Sequence, residues 1–161
     1  MSAPTSQEAG ALALIATASD PDKIRRIADK ARGISELVER AALRRIIELE
    51  SRGEVGTVEH DCWSMILAVE AIRRQVRGKK SPMNRLRPKI AREGEVAALE
   101  YLARNRSDGF QEVLEYGMPE LTAEAIVIRH GSPTFSETAV RMARKRLEEA
   151  GLDSDAVSIG N

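Results

Sequence analysis

The sequence predicts an all-α protein, with six to seven helices in a bundle-like arrangement and no sheet. Three observations predict it. Residues that start and stop helices alternate from Asp20 to Gly151. Apolar residues recur at spacings of three and four, and no segment has the period-two alternation of a strand. Aromatics are only 3% of the 161 residues, so the core is aliphatic and alanine-rich, which favours close helix packing. A chain of this length buries roughly 70% of its unfolded surface and needs neither disulfide nor metal to fold.

The elements follow in order. Residues 1–19 read as a flexible or weakly helical arm. Its stretch from Ala11 to Ser19 is apolar, but no positive charge precedes it and Glu8 stands there instead, so a signal peptide is not expected. Asp20 then Pro21 is an N-cap followed by proline at the first helical position, and the helix they open ends at Gly33. Ser35 caps the next helix, which ends near Arg52 and Gly53. Glu36 with Arg40, and Glu48 with Arg52, are four apart on its exposed face. Thr57 caps a third. On it Val58, Cys62, Met65, Val69, Ile72 and Val76 form a seam of nearly three heptads, widened by Ile66 and Leu67. Residues 35–52 and 57–77 thus read as a helical hairpin inside an N-terminal module, 20–78. Residues 79–88 form a basic connector, since Gly78, Pro82 and Pro88 interrupt the pattern.

The C-terminal module spans 89–152. One helix from about 88 to 105 would gather Ile90, Gly94, Ala97, Ala98, Tyr101 and Leu102 on one face. Two short helices follow, near 107–116 and 119–130, separated by Gly117 and Pro119. The last helix starts at Ser136, with Phe135 placed to staple onto Val140, and ends at Gly151 and Leu152 in the manner of a Schellman motif. Residues 153–161 read as a frayed tail.

Charge carries the strongest functional signal. The chain is neutral, yet Arg73, Arg74, Arg77, Lys79, Lys80, Arg85, Arg87, Lys89 and Arg92 follow one another with no acid between Ala71 and Arg92. The flanks compensate: residues 1–70 hold nine basic and twelve acidic groups, and residues 93–161 hold seven and thirteen. Such a run suits phosphate contact, because Lys and Arg displace counterions from nucleic acid and Arg forks onto phosphate oxygens. It contains no aromatic, so a base-stacking platform is not expected. The leading expectation is a small cytoplasmic regulatory or accessory protein that contacts nucleic acid through these nine residues. The alternative is an interaction module, pairing with a second copy through the 58–76 seam or holding an acidic protein on the basic strip.

Other patterns are weaker. Phe110 to His130 has the outline of a helix-turn-helix, but Glu120 and Glu124 would repel phosphate at the recognition end. The second basic cluster, Arg141, Arg144, Lys145 and Arg146, reads as a solvated face. His60, Asp61 and Cys62 are metal-binding types, but adjacent helical residues diverge by about 100°, so no metal site is expected. Cys62 reads as core, and His60 and Asp61 as an exposed first turn. The lone cysteine fits a reducing compartment. Neither a catalytic motif nor a cofactor-binding loop is present, so no enzyme activity and no cofactor are expected. No run reaches the ~18 apolar residues of a membrane span.

Overall fold

The computed structural model describes residues 2–159. Among them are ten α-helices, one 3-10 turn and no strand. The helices are α1 (Ser6–Thr17), α2 (Pro21–Ala31), α3 (Glu36–Glu50), α4 (Val58–Arg77), α5 (Leu86–Glu93), α6 (Glu95–Arg104), α7 (Asp108–Glu115), α8 (Ala123–His130), α9 (Glu137–Glu149) and α10 (Ser154–Ile159). The all-helical class agrees with the sequence; the count of six to seven does not.

Most boundaries follow the capping chemistry. Asp20, Ser35, Thr57 and Ser136 each accept a backbone amide of the first turn through the side chain. The Schellman end also forms: the Leu152 amide donates to the Leu147 carbonyl, and the Gly151 amide to Glu148.

Three departures raise the count. Thr5 and Glu8 make a reciprocal capping box, so α1 is a full helix within the expected arm. The single helix expected over 88–105 breaks at Gly94, whose φ of 92° and ψ of 170° are accessible essentially to glycine alone. Residues Ser154–Ile159, expected as frayed tail, are the helix α10. Arg129 holds it by donating to the Ser158 carbonyl, and Arg144 donates to Ser154 and Asp155. Met1 of the expected arm, and residues 160 and 161 of the expected tail, lie outside the described residues.

The core falls into three apolar clusters. Ile15, Ile24, Val38, Ala42 and Ile46 join α1, α2 and α3. Leu43, Ile47, Val69, Ile72 and Val113 join α3, α4 and α7. Trp63, Ile66, Leu99, Ile126 and Phe135 join α4 to α6, α8 and the start of α9. The helix α4 therefore belongs to both halves, and the division into modules 20–78 and 89–152 does not divide the core. The connector is also shorter than 79–88, because α5 begins at Leu86.

The seam on α4 is used within the chain. Cys62 and Met65 lie in one cluster, and Val69 and Ile72 in another. Val58 packs at the edge of the first, and only Val76 is exposed. Buried side chains offer no face to a second copy, so the expected dimer seam is intramolecular core.

Candidate functional site

The fold treats the nine basic residues unequally. Arg73 forks onto Glu112 through Nε and Nη2, at 2.8–3.1 Å, and so ties α4 to α7. Arg74 meets Asp29 of α2 at 2.9 Å. Arg87 forks onto Glu70 at 2.6 and 2.8 Å, and Glu70 also accepts the Met83 amide. Lys89 pairs with Glu93 at 2.8 Å. These four are structural ties, spent on carboxylates drawn from both flanks of the chain. Arg77, Lys79, Lys80, Arg85 and Arg92 are exposed and have no ion pair among the described residues.

The structure adds cations that the basic run does not contain. On α2, Lys23, Arg26 and Lys30 stand at i, i+3 and i+7, which places them on one exposed face. Among the described residues none has an ion pair, nor does exposed Arg32 at the C-cap of α2. The C-terminal ends of α2 and α4 lie together. Arg74 bonds Asp29, and the Gln75 side chain donates to the Ala28 carbonyl at 3.4 Å. The Arg32 guanidinium lies against Gly78. Gly78 has φ 72°, and it is this backbone conformation that favours glycine there.

The cations of this region without ion pairs among the described residues are thus Lys23, Arg26 and Lys30 along α2, Arg32 at its C-cap, Arg77 in the last turn of α4, and Lys79 and Lys80 just after it. The meeting of the two C-terminal ends brings Arg32 to Gly78, between Arg77 and Lys79. Helix stability accounts for part of this set. Cations near a helix C-terminus complement the macrodipole by about 0.3–1 kcal/mol each, which covers Lys30, Arg32 and Arg77. Lys23 sits in the first turn of α2, where the dipole disfavours a cation. Its position needs another reason. Arg85 and Arg92 lie at the two ends of α5.

The other sequence candidates resolve into packing. Asp61, expected on an exposed turn, is turned inward. It meets His130 Nε2 at 2.6 Å and Arg129 at 3.2 Å, joining α4 to α8. The lone His60 of that turn approaches the Gly53 carbonyl. Burial, with Glu95 and Asp61 nearby, pushes the Cys62 thiol up to about 12, so it is no nucleophile at neutral pH. Among the described residues, no three His, Cys, Asp or Glu side chains are grouped to hold a metal. The helix α8, second in the helix-turn-helix outline, is buried from Ala123 to Val127 and cannot enter a groove. Glu120 reaches Arg44, and Glu124 meets Arg146 at 2.5 Å. In the second basic cluster Arg144 pairs with Asp155, Lys145 approaches Glu149, and only Arg141 lacks an acidic partner among the described residues.

No described helix is long and apolar enough to cross a membrane. No family model, curated protein or solved structure matches the chain.

Proposed function

We propose that the protein contacts nucleic-acid phosphates along the edge formed by α2 and the end of α4. The observation that carries this reading is the set of seven exposed cations there, without ion pairs among the described residues, on two helices joined at their C-terminal ends. The edge replaces the continuous nine-residue strip: Arg73, Arg74, Arg87 and Lys89 drop out as paired, Arg85 and Arg92 drop out because they lie on α5, and Lys23, Arg26, Lys30 and Arg32 enter. Tyr101 is the one large exposed aromatic among the described residues, and it lies on α6. Contact would therefore be with the backbone, giving affinity without base discrimination.

The test is fluorescence anisotropy of a labelled duplex at low salt. Arg26→Glu with Lys30→Glu should weaken binding on unrelated sequences alike. Arg85→Glu with Arg92→Glu removes the same charge elsewhere and should change little. Reversal of Arg87 or Lys89 tests less cleanly, because it also breaks the ion pairs to Glu70 and Glu93. Failure of the wild-type chain to bind any duplex at low salt defeats the reading.

A second reading rests on Ile34 and Val76, which are 83% and 78% exposed and follow or precede basic-edge residues in sequence. Apolar side chains among cations suit an acidic amphipathic helix of a protein partner. Such a partner should lose affinity with Ile34→Ser and Val76→Ser, whereas phosphate binding should not.

A further inference from the structure

We infer that the cavity between α2, α3, α4 and the connector binds a small organic monoanion with an apolar body. The cavity measures about 600 Å³, within the range of small-molecule sites. It exists because α3 packs on both α2 and α4, while those two are bridged near their C-terminal ends by Arg74 and Gln75. Its apolar wall includes Leu43 of α3, and Leu67 and Ala71 of α4.

Two cations on the wall define the polar end. Lys80 lies in the connector and has no ion pair among the described residues. Arg74 spends Nη2 on Asp29, and its Nη1 makes no hydrogen bond among the described residues, which leaves that nitrogen for an incoming carboxylate or sulfonate oxygen.

The remaining wall charges set the ligand's size and sign. Four carboxylates also line the cavity, each already held: Asp22 and Glu50 by Arg25, Glu70 by Arg87, and Glu39 by the Gly33 amide, which it accepts. A polyphosphate would meet these carboxylates as like charges. A single anionic group can instead reach Lys80 and Arg74 while its apolar body covers Leu43, Leu67 and Ala71. Duplex phosphates are too bulky to enter a cavity of this size; Lys80 is shared with the basic edge, so the site is scored without nucleic acid present, and its failure leaves the nucleic-acid reading standing.

The test uses anilinonaphthalene sulfonate as probe with the full chain. Its fluorescence should rise saturably with one site per chain, and the probe should raise Tm, since a ligand of the native state stabilises it. Ala71→Phe fills the cavity and should weaken binding at least tenfold. Lys80→Glu is a surface change that leaves the fold intact, and it should weaken binding several-fold. The uncharged anilinonaphthalene should bind at least tenfold more weakly than the sulfonate. A non-saturating rise, a fall in Tm, or full binding in Ala71→Phe overturns the site. Weakening by Ala71→Phe but not by Lys80→Glu overturns the assignment of an anion.

Discussion

Replacing Arg146 with alanine should cost more stability than any other single charge removal in this chain. Its partner Glu124 is 1% exposed, and the Arg146 side chain 12%. The same Nη1 atom donates to Glu124 at 2.5 Å, to the Leu102 carbonyl at 3.0 Å and to the Asn105 carbonyl at 3.3 Å, which also closes the C-terminal end of α6. Removing it strands a buried carboxylate and two carbonyls. Breaking a buried pair from one side costs about 3–5 kcal/mol, equivalent to a Tm fall of about 10–15 °C in a chain of this size. The deficit should depend on pH. Burial, opposed by Arg146, holds the Glu124 carboxyl above the usual carboxylate range. A carboxyl raised on folding favours the folded state below its unfolded pKa, and that contribution is lost as pH rises through its folded pKa. Without Arg146 the carboxyl rises further, so the deficit should be largest near neutral pH and shrink as pH falls. Removing both charges, with Glu124→Leu and Arg146→Met, should recover most of the loss. Urea unfolding across pH measures all three. A deficit under about 1 kcal/mol at neutral pH, or one that grows on acidification, would refute the argument that the pair is desolvated.

Three further outcomes follow from single positions. Cys62, buried and with its thiol pushed up to about 12, should react with a disulfide reagent only as fast as the chain opens, and at once in urea; rapid native labelling would contradict this. Gly94→Ala meets no atom within 4 Å, so its cost of about 1–3 kcal/mol is conformational alone; a neutral result by thermal unfolding would mean that α5 and α6 form one straight helix. Arg129 donates to the Ser158 carbonyl, the Glu120 carbonyl and Asp61, so Arg129→Ala should speed amide exchange in α10 by at least tenfold, and unchanged protection would show that α10 docks without it.

Much of the fold was legible because caps and stops are local. Asp20 with Pro21, Thr57 with Gly78, and Ser136 with Gly151 each act within a few residues of the boundary they set. The Thr5-to-Glu8 spacing carried the same kind of signal for α1. The helix α10 has a local cap as well, since Asp153 accepts the Asp155 and Ala156 amides, but its docking was not legible because Arg129 reaches it across 29 positions. Gly94 fits the apolar face of a single helix over 88–105 by its spacing, and only its backbone angles show a break. The candidate site was half legible. An acid-free run could be counted, but the pairing of Arg73 with Glu112 spans 39 positions and leaves no local trace. The α2 stripe was hidden for the opposite reason. Asp22 and Asp29 alternate with Lys23, Arg26 and Lys30 in sequence, yet they stand on another face and pair with Arg25 and Arg74.

The central claim is that free cations on α2 and the end of α4 meet phosphates, and the salt dependence of duplex binding tests it most directly. If four of the seven engage, the slope of log K against log salt concentration is about −4. Arg26→Glu with Lys30→Glu should make it shallower by about 2, and Arg85→Glu with Arg92→Glu should leave it unchanged. A slope near zero, or an equal change in both variants, would contradict the account.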